Sequence, residues 1–309
     1  MQILGLHHIT AIASDPRRNL AFYTGVLGLR LVKRTVNFDD PRTYHFYYGD
    51  RVGTPGSILT FFPWTGRQRG RAGMGQASAI GFSVGPDALS FWEERLHAHG
   101  IATSARASRF GESTLTFADP DGLVLELVAT REPDGRPPWT HPDIPVEHAI
   151  RGFHSVTLAV RDATPTAHLL TATMGCRELR VEGHRVRYTV ANGGPGTLVD
   201  LLDDPSLPSG RPGTGTVHHV AFRTPDGDTQ RVARLELLVL GYDVSPLLDR
   251  NYFQSIYYRE PNRILLEIAT DQPGFAVDEP IAALGTTLKL PALYEPHRAE
   301  IEAALPKLV

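Results

Sequence analysis

The sequence predicts an α+β fold of four βαβββ modules paired into two open-barrel domains. Three observations predict it. A strand-like run, a helical stretch and three further strand-like runs recur four times, at a period of roughly 50–60 residues that marks a repeat architecture. The runs have strand length and are separated by Gly- and Pro-containing turns, so they read as short core strands rather than buried helices. Two of the four opening runs also carry a histidine doublet, His7-His8 and His218-His219, where a core strand would normally hold apolar side chains.

Module one, residues 5–64, opens with His8-Ile9-Thr10-Ala11-Ile12 and closes with the apolar run 58–62. Module two, residues 76–130, opens with Ala79-Ile80-Gly81-Phe82-Ser83-Val84 and closes with 123–128. It carries the clearest helix, 86–99, where Leu89, Trp92 and Leu96 recur at helical spacing and Gly100 is placed to stop it. Module three, residues 152–204, opens with Ser155-Val156-Thr157-Leu158-Ala159-Val160 and closes with 198–202. Module four, residues 216–270, opens with His219-Val220-Ala221-Phe222 and closes with 264–269. Modules one and two group into an N-terminal domain, 1–140, and modules three and four into a C-terminal domain, 150–275. A tail, 276–309, carries a short helix near 294–305. Residues 66–75 and 131–145 read as linkers, the basic loop Arg67-Gln68-Arg69-Gly70-Arg71 being a solvated connection.

The 309 residues suffice for two domains with their own cores. With 41% hydrophobic and 21% charged residues the composition is that of an ordinary globular protein. A net charge of −3 and the lack of a long Lys/Arg run argue against nucleic acid as a partner. No stretch approaches the ~20 apolar residues of a membrane span, and the first residues lack the basic flank and apolar run of a signal peptide. The single cysteine, Cys176, excludes an intrachain disulfide and a thiolate-rich metal site, so a cytoplasmic location is expected.

Aligning the modules by pattern isolates one chemical constellation. The polar position of the opening strand holds His8, Ala79, Ser155 and His219 in modules one to four, and that of the closing strand holds Thr60, Glu126, Asp200 and Glu267. Only modules one and four together offer two imidazoles and a carboxylate, His8, His219 and Glu267. That is the ligand set of a mononuclear non-haem Fe(II) site with open coordination positions. The reading requires the two ends of the chain to meet. Glu126 lacks histidine partners and reads as structural. His154 lies one residue out of phase, and strand alternation would turn it away from its cavity.

The close of module two, Ala118-Asp119-Pro120-Asp121-Gly122-Leu123-Val124-Leu125-Glu126-Leu127, and its worn copy Arg259-Glu260-Pro261-Asn262-Arg263-Ile264-Leu265-Leu266-Glu267, resemble the vicinal oxygen chelate superfamily of glyoxalases, bleomycin-resistance proteins and extradiol dioxygenases. Within it the chain most resembles the hydroquinone ring-cleaving dioxygenases. The matching stretches include Leu6-His7-His8-Ile9-Thr10, Tyr44-His45-Phe46-Tyr47-Tyr48, Val217-His218-His219-Val220-Ala221-Phe222 and Asp249-Arg250-Asn251-Tyr252-Phe253.

The resemblance implies an Fe(II)-dependent, extradiol-type dioxygenase that takes O₂ and a small aromatic diol, a hydroquinone, as substrates. Mn²⁺ suits the same ligands. It also implies a homo-oligomer, and gives His7, Thr10, His218, Arg250 and Tyr257 as the residues that handle protons and stabilise charge on oxygen. For His7 and His218 the pattern conflicts with that role, because a regular strand turns each away from its metal-binding neighbour. Two other functions share the superfamily's fold: a metal-dependent glyoxalase-type isomerase or lyase that uses no oxygen, and a bleomycin-resistance-like protein that binds a ligand without chemistry.

Overall fold

The computed structural model describes residues 1–131 and 134–308. Glu132 and Pro133 of the expected linker and Val309 of the expected tail lie outside the described residues. Module one supplies β1 (Gly5–Ala13), β2 (Arg30–Asn37), β3 (Asp40–Gly49) and β4 (Ile58–Pro63), and module two β5 (Gln76–Val84), β6 (Ala107–Arg109), β7 (Glu112–Ala118) and β8 (Val124–Ala129). Module three supplies β9 (Gly152–Ala159), β10 (Arg177–Glu182), β11 (Arg185–Thr189) and β12 (Leu198–Leu202). Module four supplies β13 (Thr216–Thr224), β14 (Leu248–Asp249), β15 (Phe253–Arg259) and β16 (Leu265–Pro273). The βαβββ order recurs four times, as expected.

One helix follows each opening strand: α1 (Pro16–Leu20), α2 (Leu89–Ala98), α3 (Ala163–His168) and α4 (Gly227–Val239). Asp15 starts α1 by accepting from the backbone N–H groups of Arg17 and Arg18, with Pro16 in the first turn where its missing N–H costs nothing. Helix α2 buries Leu89, Trp92 and Leu96, the three residues whose spacing predicts it. It begins later than expected because residues 86–88 form a turn. The Trp92 indole donates to the carbonyl of His148 over 2.8 Å, which lets a large polar-tipped ring sit fully buried.

The strands form two eight-stranded sheets, ordered β14-β15-β16-β13-β1-β4-β3-β2 and β10-β11-β12-β9-β5-β8-β7-β6. Within a module the opening strand runs parallel to the closing strand. Between modules the opening strands pair antiparallel, β1 with β13 and β5 with β9. Each curled sheet therefore takes one module from either half of the chain: modules one and four build one, modules two and three the other. The sheets do not coincide with the halves 1–140 and 150–275.

Two ladder irregularities mark the β1–β13 seam. Leu6 pairs with Phe222 but His8 with Ala221, leaving His7 as an extra residue; Thr10 pairs with His219 but Ala11 with Val217, leaving His218 extra. The β5–β9 seam repeats the pattern, with Ser78 and His154 unpaired. These are β-bulges, which bend a strand and re-aim its side chains. The freed carbonyls do not go unsatisfied. His7 accepts from the Gly56 N–H at 2.8 Å, and His154 from the Gly196 N–H at 2.9 Å.

Gly5 opens β1 with φ of 144°, and a Cβ there would lie 2.7 Å from the Gly196 carbonyl oxygen. That carbonyl accepts from the Leu6 N–H at 2.8 Å, stitching one sheet to the other. The Arg136 guanidinium adds a second tie, donating to the carbonyls of Gly56 and Phe153. Residues 66–75 are more than the expected solvated connection. Arg71 and Arg211 exchange backbone hydrogen bonds at 2.9 and 2.8 Å, so this loop pairs with residues 208–214.

The tail crosses back over module one. Lys33 of β2 is fully buried and paired with Asp278 and Glu279. Helix α5 (Arg298–Ala304) packs Ile301 inward, and the Tyr294 hydroxyl donates to the Phe38 carbonyl at 2.6 Å. The expected terminal helix is thus a packing element on the β2–β3 edge. Among the described residues no helix is long and apolar enough to cross a membrane.

Candidate metal centre

The β1–β13 seam lies beside a cavity of about 350 Å³. Its wall includes His8, His45, Tyr47, His218, His219, Arg250 and Tyr257, with Phe38, Phe62, Trp64, Phe253 and Leu265 as an apolar and aromatic lining. His8 and His219 of this wall converge with Glu267, and all three residues are buried. The Nε2 atoms of the two histidines are 3.3 Å apart. Glu267 Oε2 lies 3.2 Å from His8 Nε2 and 3.0 Å from His219 Nε2. Among the described residues no other group of three potential ligands meets in this way.

Hydrogen bonds behind the triad set its protonation. The Thr270 carbonyl can only accept, so His7 donates to it from Nε2 at 3.1 Å. His7 Nδ1 is then a lone pair, and the Nδ1–H of His8, 2.9 Å away, donates to it. His8 Nε2 is left bare and turned to the cavity. His219 and His218 form a matching pair through their Nδ1 atoms at 2.8 Å. The bulges resolve the conflict that strand alternation posed: each extra histidine folds in behind its neighbour instead of turning to the opposite face.

The two pairs differ at their far ends. His7 is sealed against Thr270 and the Phe253 ring, whose centroid is 4.9 Å away. His218 borders the cavity, and its Nε2 has no protein partner among the described residues.

Glu267 is held by one oxygen. Its Oε1 accepts from the Ser255 hydroxyl, whereas Oε2 is buried with no hydrogen-bond donor aligned on it among the described residues. An orphaned carboxylate oxygen beside two imidazole nitrogens is a costly arrangement for a protein alone. It is the arrangement a cation requires. Donors sharing one face of an octahedron, with bonds of about 2.1 Å, stand about 3 Å apart, as these three do. The residues present fit a divalent metal.

Burial shapes the surrounding charges. It lowers the pKa of His7 well below the ordinary histidine value, with His8 adding to the effect, and lowers those of His45 and His219 as well. His218 is lowered too, by the protein packed around it and then by His219, but its side chain is exposed at the cavity, where solvent weakens the effect. Burial, then the Glu267 charge, pushes the Tyr257 phenol up, so it stays protonated.

Of the expected residues around the triad, Tyr257 pairs directly across the β15–β16 ladder from Glu267, its ring 5.5 Å from that of His219. Arg250 stacks over Tyr257 at 5.4 Å and reaches towards Asp39, 3.6 Å away, across the cavity mouth rather than towards Asp249. Thr10 turns elsewhere. Its hydroxyl bonds that of Thr60 at 2.8 Å, Thr60 meets His45 Nε2 at 2.9 Å, and His45 Nδ1 meets the Tyr47 hydroxyl at 2.9 Å. His45, which the sequence places only within one of the stretches that carry the resemblance, is a buried wall residue of the cavity. The signal was present in β3, where alternation puts His45 and Tyr47 on one face.

The other sheet shows what the same scaffold does without histidines. Asp200 accepts from Arg187 at 2.8 and 3.1 Å, and Glu126 from Arg109 at 2.7 Å. Guanidinium groups supply the positive charge there, in keeping with a structural Glu126. His154 contradicts its expected outward orientation. The bulge turns it inward, fully buried, between Ser155 at 3.1 Å and Glu112 at 3.2 Å.

Comparison with known proteins agrees with this architecture. The model of the Glyoxalase/Bleomycin resistance protein/Dioxygenase superfamily matches residues 5–127. A Bacillus subtilis (strain 168) protein assigned as the ring-cleaving dioxygenase MhqO is 46% identical over 98% of this chain and 96% of its own. The chlorohydroquinone/hydroquinone 1,2-dioxygenase of Sphingobium indicum is 35% identical over 97% of this chain and 95% of its own. A solved structure of an assigned dioxygenase from Bacillus subtilis superposes with a TM-score of 0.95 at 46% identity, covering 100% of this chain and 98% of that one. Glyoxalase I from Zea mays shares the fold, with a TM-score of 0.65 at 16% identity over 86% of this chain and 92% of its own.

Proposed function

The chain belongs to the Glyoxalase/Bleomycin resistance protein/Dioxygenase superfamily, and from that premise we propose that it is a ring-cleaving dioxygenase that holds Fe(II) through His8, His219 and Glu267 and opens hydroquinones. The observation that carries the reading is the convergence of three bare donor atoms, 3.0–3.3 Å apart, on one side of a cavity with an aromatic wall. The names of the MhqO and Sphingobium relatives supply the reaction type and the para-diol class.

When bound, ferrous iron on such a triad supplies open positions for an aromatic diol and O₂ and a path for electrons between them. The protein's own groups do the rest. Phe38, Phe62, Trp64 and Phe253 receive the flat ring and exclude water. With His219 bare at Nε2, its Nδ1–H donates to His218, which leaves His218 with an Nε2–H directed at the cavity. That N–H, the protonated Tyr257 hydroxyl and the Arg250 guanidinium belong to residues that line the space, and are donors suited to oxygen atoms that gain negative charge as the ring opens. Tyr257 holds a proton that it can give to such an oxygen. His7, sealed from the cavity, positions His8.

A glyoxalase-type isomerase recruits more carboxylate to its metal, and Glu267 is the only acidic member of this cluster among the described residues. The lone, buried Cys176 suits a reducing cytoplasm.

Oxygen uptake by protein reconstituted anaerobically with Fe(II), offered methylhydroquinone or catechol, tests the proposal beside a His219→Ala control. Uptake with the hydroquinone and a ring-opened product, both lost in the control, is the expected result. Stoichiometric iron with no uptake on either diol would sink it.

A further inference from the structure

Ser255 does not figure among the residues expected at the site, yet among the described residues it makes the one hydrogen bond to the Glu267 carboxylate, donating to Oε1. It sits on β15 two residues before Tyr257, hence on the same face, and is fully buried. In the ladder Ser255 pairs with Ala269 and Tyr257 with Glu267. The serine hydroxyl therefore reaches Glu267 along the diagonal of the antiparallel pair, a contact that short side chains make only when both strands are held in register.

The two carboxylate oxygens are thereby made different. Oε1 accepts the Ser255 hydroxyl proton. Oε2 faces His8 and His219 at 3.2 and 3.0 Å and has no aligned donor. We infer that Ser255 is a positioning residue that makes Glu267 a one-oxygen ligand. By occupying Oε1 it keeps the carboxylate from chelating the metal through both oxygens, and so keeps a coordination position free for substrate or O₂. The inference rests on the reading of the triad as a metal site. A carboxylate free to rotate would close one of the positions that ring cleavage requires.

The test uses the whole chain, stripped of metal and titrated anaerobically with Co²⁺ or Mn²⁺. Wild type, Ser255→Ala, Ser255→Thr and His219→Ala are compared by the visible ligand-field absorption of Co²⁺ and by the free Mn²⁺ signal in electron paramagnetic resonance. Thermal unfolding in chelator establishes that each variant is folded. Tight wild-type binding that His219→Ala abolishes establishes the metal site itself; equal binding by those two would instead defeat the reading of the triad.

With the site established, Ser255→Ala is expected to bind Mn²⁺ about 10–100-fold more weakly, as loss of a group that orients a ligand typically does. It should also weaken the Co²⁺ bands, because a two-oxygen carboxylate raises the coordination number. Ser255→Thr, which keeps the hydroxyl, should restore both. Wild-type affinity and spectrum in Ser255→Ala, or a loss that Ser255→Thr does not repair, would overturn the inference.

Discussion

His7 donates its Nε2–H to the carbonyl of Thr270 over 3.1 Å, and this bond decides which nitrogen of the adjacent His8 is bare. The chain of consequence runs from an amide oxygen that can only accept, through one imidazole, to the metal-facing edge of another. Replacing His7 with Phe keeps the ring's packing against Phe253 but removes the acceptor for the His8 Nδ1–H. Mn²⁺ affinity should fall about 10–100-fold, while unfolding in chelator changes little. Affinity within threefold of wild type would show that His8 chooses its tautomer without help.

Metal removal should be visible in stability. A ligand that binds only the folded state at 100 times its Kd adds about 2.7 kcal/mol, and Tm moves about 2–4 °C per kcal/mol in domains of this size. Chelator should therefore lower the wild-type Tm by several degrees. Glu267→Gln, which removes the charge that two histidines face, should show no such shift by scanning calorimetry. An equal chelator effect in both proteins would mean that the cation sits elsewhere.

Tyr257 offers a cleaner test of chemistry than of folding. Tyr257 lines the cavity while its ring packs edge-on to His219. Tyr257→Phe should lower kcat by about 10²-fold, the lower end for loss of a proton donor. KM for the hydroquinone and Tm should stay close to wild type. A change confined to KM would reassign the hydroxyl to substrate binding.

Asp119 gives a pH signature far from the metal. Burial is the main cause that pushes its carboxyl up to about 6, although the backbone N–H groups of Asp121 and Leu123 and the Tyr23 hydroxyl donate to it. Its folded value lies above its unfolded one. It therefore adds stability fully present below about pH 4 and lost as pH rises towards 6, at most about 3 kcal/mol. In urea unfolding, wild type should lose stability relative to Asp119→Asn between pH 4 and 6. A pH-independent difference between the two would refute this.

Lys33 is the buried cation that holds the tail. Lys33→Met leaves Glu279 buried without its partner, which should cost about 3–5 kcal/mol. Lys33→Met combined with Glu279→Gln should recover most of it. If the double variant unfolds as early as the single one, packing of the lysine stem, not charge, secures the tail.

The convergence of His8, His219 and Glu267, the proposed metal triad, was legible because three positions fell in the same register across four repeats, a pattern that survives ignorance of the loops. The roles of His7 and His218 were not. A β-bulge adds a residue without leaving a compositional mark, and strand alternation carried across it sends both histidines, and His154, to the wrong face. Ser255 escaped because a serine in an apolar strand carries no signal until the diagonal carboxylate is seen. His45 was readable from the alternation of β3 but had no counterpart in the other modules. The partnership of sheets followed from chemistry rather than from topology: the scattered ligands of modules one and four made sense only if the ends of the chain met.

That meeting sets an order of events during synthesis. Modules two and three are consecutive, so their sheet can close while the ribosome is still making module four. Strand β1, with His8 on its unpaired edge, must wait for β13, whose His219 is made 211 residues later. At ~5–20 residues per second the wait is roughly 10–40 s. Pulse proteolysis of nascent chains arrested at Asp204 and at Thr270 would report it, as an early protected core and a late protected N-terminus. A chain cut short of Glu267 has at most two of the three residues of the proposed metal site, so on that reading the site is completed only when the cavity around it is finished.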